Sequence, residues 1–285
     1  MKVFITGADG ALGQEVQNIL KAEKVNFLAT DIKQLDITYF KKVSETVTNY
    51  RPDVIIHCAA ISDVDWCEKN KDLAYRINVL GTLGLANMAK KIEAKIAYLS
   101  TNFVFDGETE QPYGEYEAAN PINEYGRTKY LGERCVRDAC EKCFIIRTAW
   151  LFGPHSKTFV SKFLQSKVKP AHIDVICDQT GSFTYIPDLA RAILSLIVSD
   201  HFGLYHIVNS GLGSWLDFML RAKEFLRFNT EIRPVKTEEL GLPAPRPRFA
   251  ALASKNYEFL FEKKLRVWTD ALADFIKSIQ GPGKQ

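Results

Sequence analysis

The chain has 285 residues, with 37 Lys plus Arg against 34 Asp plus Glu and a formal charge of +3. That near balance excludes the broad basic footprint of a nucleic-acid-binding protein. At 46% hydrophobic and 25% charged, the composition excludes a disordered chain, and the length suits one large α/β unit or two smaller domains.

No run approaches the roughly 20 apolar residues that span a bilayer. Only Val3 to Ile5 is continuously apolar ahead of Thr6-Gly7, far short of a secretory h-region. The expectation is a cytoplasmic protein with neither a membrane nor a nucleic-acid partner. Six cysteines suit that reducing compartment. Cys58 and Cys177 lie in apolar runs and read as core. Cys140 and Cys143 have the spacing of a redox or half-zinc motif, but no second Cys/His pair stands near at metal spacing, so reduced thiols and no metal are expected.

The first strand is predicted over Lys2–Thr6 and the first helix over Ala11–Lys21. Between them runs Gly7-Ala8-Asp9-Gly10-Ala11-Leu12-Gly13. A glycine motif gains meaning in that strand-to-helix context, because the turn brings backbone close to a pyrophosphate and the helix start offers free N–H groups. The spacing is G-x-x-G-x-x-G, with the middle glycine displaced from the commoner pattern. A second strand over Val25–Thr30 ends at Asp31, 18 residues beyond Gly13. An acidic side chain there accepts from an adenosine ribose and favours NADH. Lys33 pulls the other way and keeps NADPH open. Asp36 and Ile37 follow in a loop suited to the adenine.

A helix over Tyr39–Tyr50 precedes a strand over Asp53–His57, which runs into Cys58-Ala59-Ala60. The small Ala59 and Ala60 let a flat ligand pass close to the backbone. His57 sits inside the apolar run and reads as a satisfied core histidine rather than an acid or base. A long helix over Leu73–Ile92 and a strand over Lys95–Ser100 come next, with Thr101 at the strand end. A helix over Asn123–Asp138 carries Tyr125 and Lys129. Residues four apart share a helix face, so a phenol and an ammonium lie side by side, and the cation is expected to lower the phenol pKa. Thr101, Tyr125 and Lys129 are expected to converge beside a nicotinamide as acid and electrophile.

A fifth strand over Cys143–Arg147 completes a strand–helix alternation that requires a parallel sheet covered on both faces. Beyond it, strands are predicted at Ile173–Cys177 and Gly203–Val208, and helices at Pro187–Val198, Trp215–Phe228 and Asp270–Ile279. A proline-rich stretch fills Pro234–Pro247, and Gly-Pro-Gly follows the last helix. The fold class is therefore α/β, a doubly wound parallel Rossmann sheet with a small C-terminal lobe. Residues 1–152 and about 172–208 are assigned to the dinucleotide-binding domain, and about 153–171 with 209–285 to a substrate-binding lobe.

These residues resemble the extended short-chain dehydrogenase/reductases, and more narrowly the dTDP-4-dehydrorhamnose reductase family. The resemblance runs nearly end to end. It takes in the glycine turn, Arg51 to Ile55, Val64-Asp65 with Glu68, Ser100-Thr101 with Val104 to Gly107, and Tyr125 to Lys129 with Gly132-Glu133. It continues through Arg147 to Trp150, Asp178-Gln179, Gly203 to His206, Trp215 to Phe218 and Arg246-Pro247. It implies hydride delivery from NADPH or NADH to C4 of a dTDP-linked 4-keto-6-deoxy sugar. Tyr125 would donate the proton, Lys129 would tune it and hold the nicotinamide ribose, and Thr101 would bind the keto oxygen. Ser62, Val64, Asn102, Phe103 and Trp150 would line the sugar site; Trp150 reads equally as a core aromatic. Two departures bear on the sugar: Asn102-Phe103 stands where the family usually has Asp-Tyr. Glu15 matches one carboxylate of a family Mg²⁺ site, but the rest is not found, so no metal is expected. The assembly is expected to be a monomer or a homodimer. The alternatives are a related sugar-nucleotide reductase or epimerase, and a non-catalytic NADP-binding regulatory subunit.

Overall fold

Short β-rich runs alternate with amphipathic stretches through the first half, and each becomes a strand or a crossover helix. The computed structural model describes residues 1–280; the Gly-Pro-Gly segment at 281–283 lies outside the described residues. In chain order the elements are β1 (Lys2–Thr6), α1 (Ala11–Ala22), β2 (Asn26–Thr30), α2 (Phe40–Tyr50), β3 (Val54–His57), α3 (Val64–Lys69), α4 (Lys71–Tyr75), α5 (Thr82–Lys91), β4 (Lys95–Thr101), α6 (Glu124–Ala139) and β5 (Cys143–Thr148). Then come β6 (Leu151–Phe152), α7 (Phe159–Gln165), β7 (His172–Ile176), β8 (Thr180–Ser182), β9 (Thr184–Tyr185), α8 (Ile186–Ile197), β10 (Gly203–His206), β11 (Leu212–Gly213), α9 (Trp215–Leu226), β12 (Glu231–Val235), β13 (Phe249–Ala250), α10 (Lys255–Phe261) and α11 (Trp268–Gln280).

Six strands form one parallel sheet in the order β10-β5-β4-β3-β1-β2. The order reverses between β1 and β3, and in such sheets ligands bind outside the carboxyl ends of the strands at that point. Both faces are buried. Val3, Ile5, Ile56 and Phe144 pack with α1 and α8 on one side. Phe4, Ile55, Ile96 and Tyr98 pack with α2, α5 and α6 on the other. Two-sided burial explains why these strands read as continuous apolar runs. No helix among the described residues is long and apolar enough to cross a membrane.

The predicted helix over Leu73–Ile92 is broken. A π-helical turn at Arg76–Gly81 separates α4 from α5. Such a turn widens the helix locally. Here it carries buried Asn78, whose side chain holds Ile61 through both polar atoms, accepting from its N–H at 2.9 Å and donating to its carbonyl at 3.0 Å.

A second core lies beside the sheet, built from Phe152, Phe163, Phe183, Trp215, Phe218, Trp268 and Phe275. Its strands pair outside the main sheet: β11-β8-β13, β12-β7 and β6-β9. This corrects the expected division at one place. The strand at 172–176 pairs with β12, and 180–182 with β11 and β13; only α8 and β10 return to the six-stranded sheet. The reason is polarity: β7 carries exposed His172 and Asp174, which a strand buried on both faces does not tolerate. Cys177, just past β7, is correspondingly exposed rather than core. Cys140 and Cys143 are buried and free, and burial pushes the Cys143 thiol up to about 11. Pro234 sits within β12 (Glu231–Val235), which pairs only with β7; an edge strand is where a residue without an N–H is accepted.

One buried ion pair ties α6 to the sheet. Arg147 of β5 meets Glu133 through two parallel bonds, Nε at 2.8 Å and Nη2 at 2.7 Å, and Ser100 Oγ of β4 donates to the same carboxylate at 2.5 Å. Glu133 is 0% exposed. Removing one partner from such a pair leaves the other charge buried and uncompensated. Glu133→Gln is expected to lower stability by about 3–5 kcal/mol, read from the urea midpoint at unchanged slope.

Candidate active site

The site begins at the turn between β1 and α1. Gly7 has φ +70°, and a Cβ on it would come within 2.6 Å of the Ala59 nitrogen. A Cβ on Gly13 would fall 2.3 Å from the Gly7 carbonyl oxygen. The two glycines thus let the turn, the start of α1 and the segment after β3 press together at the switch point. Gly10 is the N-cap of α1 and bonds back to the Gly7 carbonyl at 3.1 Å. Ala11, Leu12 and Gly13 open the helix, so their N–H groups have no intrahelical acceptor. Backbone donors at a helix start, with no side chain in the way, fit the pyrophosphate of a dinucleotide.

Asp31 closes β2 beside this turn. Its carboxylate accepts from Asp9 N at 3.0 Å and from Ile32 N at 2.8 Å. Asp31 therefore lies against the glycine turn. Lys33 is exposed two residues on. Asp36 caps its own turn, accepting from Thr38 N and Oγ1 at 2.8 Å each. Ile37 is buried and packed under Gly81, so its side chain faces the core. Ala59 and Ala60 are half-buried at the end of β3. His57 is satisfied on both sides. Thr6 Oγ1 lies 2.7 Å from Nδ1, and Nε2 lies 3.0 Å from Thr82 Oγ1, whose own proton goes to the Asn78 carbonyl. Nε2 is therefore the donor and Nδ1 the acceptor. Burial, reinforced by Lys129, holds its pKa at about 3, so it stays neutral.

Thr101, Tyr125 and Lys129 come from β4 and α6. Asn123 caps α6, its Oδ1 accepting from Gly126 N at 2.8 Å. That cap fixes where the first turn begins and so where Tyr125 points. Thr101 is buried near the Tyr125 phenol. Burial pushes the Tyr125 pKa up to about 12, with the Thr101 hydroxyl pulling the other way. This reverses the expected direction: the Lys129 ammonium lies 4.2 Å over the Tyr98 ring instead, and desolvation of the phenol dominates. Lys129 is 3% exposed. Burial lowers its pKa to about 7, opposed by the carboxylate of Glu133 one turn on. The arrangement holds a protonated phenol and an ammonium that can shed its proton near neutrality.

The remaining candidates diverge. Ser62 is exposed and Val64 half-buried at the start of α3. Phe103 is half-buried and meets the Tyr125 ring edge-on at 5.7 Å. Asn102 is turned away from open space, donating to the Ala250 carbonyl at 3.0 Å. Trp150 has φ +40° and stacks on Trp215 at 4.4 Å, with its ring against Gly181. It belongs to the aromatic core, half-buried at its edge.

Two fastenings were not foreseen from sequence. Arg246 forks onto Asp65 at 3.1 and 2.9 Å, and Ala244 N donates to the same carboxylate at 3.1 Å. Asn123 Nδ2 donates to the Pro245 carbonyl at 2.9 Å. The proline-rich segment is thereby strapped across α3 and the start of α6. Its prolines signalled an irregular segment but not its partners.

A doubly wound sheet with a glycine turn at its switch point and a Thr, Tyr and Lys set at its carboxyl edge defines a dinucleotide-dependent oxidoreductase of the short-chain dehydrogenase/reductase class. Within it, residues 1–280 match the family described as RmlD substrate binding domain. The chain is 36% identical over 276 residues to the spore coat polysaccharide biosynthesis protein SpsK of Bacillus subtilis, covering 97% of each. A crystal structure of a dTDP-4-dehydrorhamnose reductase from Clostridium acetobutylicum superposes with a TM-score of 0.93 at 37% identity, covering 99% of this chain and 100% of that one. The Bacillus anthracis dTDP-4-dehydrorhamnose reductase in complex with NADP gives 0.93 and 37%, covering 96% and 98%. The chain belongs to the RmlD substrate binding domain family, that of the dTDP-4-dehydrorhamnose reductases.

Lys129 supplies a pH signature. Its pKa is about 7 in the folded protein against the ordinary 10.5. Between those values the unfolded chain binds the proton that the folded one has shed, so this residue's contribution rises with pH and is flat below about 7. Lys129→Met removes that dependence. The stability of the native protein relative to the variant should climb between pH 7 and 10, by at most about 1.4 kcal/mol per pH unit, in urea titrations at several pH values.

Proposed function

We propose that this protein reduces the C4 keto group of dTDP-4-dehydro-L-rhamnose to give dTDP-L-rhamnose, using NADPH or NADH. The observation that carries this reading is the meeting of Thr101 and Tyr125 beside buried Lys129, next to a glycine turn pressed onto the end of β3. The near full-length similarity to reductases of that name supports it.

When bound, the cofactor supplies the hydride. The N–H groups of Ala11, Leu12 and Gly13, with the Gly7 and Gly10 turn, would hold its pyrophosphate, and Asp31 its adenosine ribose. Asp9 N is already committed to Asp31, so this residue contributes by orienting that carboxylate. Asp36 and Ile37 would border the adenine through their turn, and Ala59 and Ala60 would let the ligand lie against the backbone.

Thr101 binds the keto oxygen, where negative charge grows, and Tyr125 hands it a proton. A phenol at about 12 is fully protonated at neutral pH and so has a proton to give. Lys129 stands behind it with a pKa of about 7, able to offset phenolate charge as it forms. Ser62, Val64 and Phe103, with Trp150 at the edge of the aromatic core, would border the sugar, and the lobe would receive the nucleotide.

Turnover is tested by loss of reduced-nicotinamide absorbance with dTDP-4-dehydro-L-rhamnose generated in the assay. Tyr125→Phe should cut kcat by about 100-fold or more while sparing cofactor affinity; a variant with native kcat sinks the assignment. Asp31→Ala should shift the cofactor preference towards NADPH, seen in the ratio of KM values. Equal KM values before and after the change would remove Asp31 from the ribose site.

A further inference from the structure

Tyr98 lies in the middle of β4, paired with His57 of β3 on one side and Ile145 of β5 on the other. Its side chain is fully buried, and the hydroxyl donates to the Lys129 carbonyl at 3.2 Å. A Cβ on Gly132 would fall 2.2 Å from that hydroxyl oxygen, so a glycine there lets α6 settle onto the phenol. The ring is thereby fixed beside the Lys129 side chain, whose ammonium lies over its face, 4.2 Å from the centroid. The His57 ring lies 5.6 Å away at a tilt of 43°.

The other groups facing Lys129 are already spoken for. Glu133, one turn on along α6, attracts the ammonium but is bonded to Arg147 and Ser100. From β3 and its end come His57, held neutral at about 3, and Cys58, whose thiol burial pushes up to about 12. Burial does the same to Cys67 of α3 and to Tyr125 of α6, both at about 12. It also raises the Tyr98 phenol well above its ordinary value. Of the thiols, phenols, imidazole and amine gathered here, the amine is the one that changes charge near neutrality.

We propose that Tyr98 is a positioning residue for the reaction, whose ring face holds the buried Lys129 ammonium in place and keeps it charged. This rests on the reading of Lys129 as the group that holds the nicotinamide ribose and offsets phenolate charge. The face of an aromatic ring attracts a cation, most strongly where water is excluded. A carboxylate at this place would fasten the amine and occupy its donors. An aliphatic wall would let burial strip its proton. The ring does neither: it favours the charged form without a directional bond, so the N–H groups stay available to ribose hydroxyls. Tyr98 thus acts through Lys129 and touches neither sugar nor hydride.

Two changes at this position separate the ring face from the ring's shape. Tyr98→Phe keeps the face and drops the hydroxyl. Trifluorophenylalanine in place of Tyr98 has nearly the same shape but withdraws electrons from the face. In each full-length protein the Lys129 side chain is titrated by carbon NMR, its signal assigned by its loss in Lys129→Met. In parallel, kcat is followed against pH with dTDP-4-dehydro-L-rhamnose and NADPH. The Lys129 midpoint in Tyr98→Phe should stay within about 0.3 pH units of native. In the fluorinated protein it should lie about 0.5–1.5 units lower, because losing the attraction favours the neutral amine. Above both midpoints kcat should fall with the ammonium, about 3- to 30-fold. If the fluorinated protein does not fold, Tyr98→Leu is read by the same criteria. A merely structural role would lower the melting temperature in Tyr98→Phe and leave the two ring variants with one midpoint. Coincident midpoints overturn the proposal. A midpoint that falls with no matching fall in kcat also overturns it, since the ammonium is then held but not used. A native protein whose Lys129 titrates as expected but which never reduces the keto sugar overturns the functional reading, and Tyr98's part in a reaction with it.

Discussion

Glu133 and Arg147 are both out of water, and each compensates the other's buried charge. Their two parallel bonds, with Ser100 as a third partner, fix the depth of α6 against β4 and β5. Much else follows from that single placement. Tyr125, Lys129 and Glu133 recur every fourth residue, so setting one sets the others. Thr101 is the residue after Ser100, so the same contact sets its height along β4. The carboxylate also keeps Lys129 from being driven further towards neutrality by its burial.

The lobe is organised differently. Its strands are two to five residues long and none pairs into the main sheet. Aromatic packing unites it instead. Phe183 touches Trp150, Trp215, Phe218 and Trp268, with ring centroids about 5 Å apart. Trp150 stands where the chain leaves β5 for this core, in a left-handed conformation. A lobe held by side chains rather than by a continuous ladder can be reshaped at its rim while the sheet beneath is unchanged.

The sheet and its turn were legible because their signals are local. Five strands and the helices between them show as alternating patterns, and the glycine spacing lies within one turn. His57 was legible as core from its apolar neighbours. The lobe was not, because its pairings join residues far apart: Thr180 meets Phe249, and His172 meets Glu231. No periodicity encodes such partners. Cys177 was misread because an apolar run was taken for a central strand when it flanks an edge. The π turn at Arg76–Gly81 was invisible because its residues keep a helical pattern. The direction of the Tyr125 pKa was misjudged because spacing reports which groups are neighbours in sequence but not how deeply they are buried. Asn102 was expected to face the sugar because it follows Thr101; the chain leaves the strand there for a short 3-10 turn over Asn102–Val104, and the amide nitrogen reaches the lobe backbone instead.

The fork between Arg246 and Asp65 joins residues 181 apart. During synthesis Asp65 leaves the ribosome long before its partner exists, while β1, β2 and β3 pair over short separations. Closing so long a loop costs little extra in equilibrium terms, since the entropy grows only with the logarithm of length. It costs time, because distant contacts form late. The β1–α1 glycine turn therefore forms early and the strap across α3 last. A nascent chain passes through a stage in which the glycine turn is formed while the α3 loop still lacks its strap.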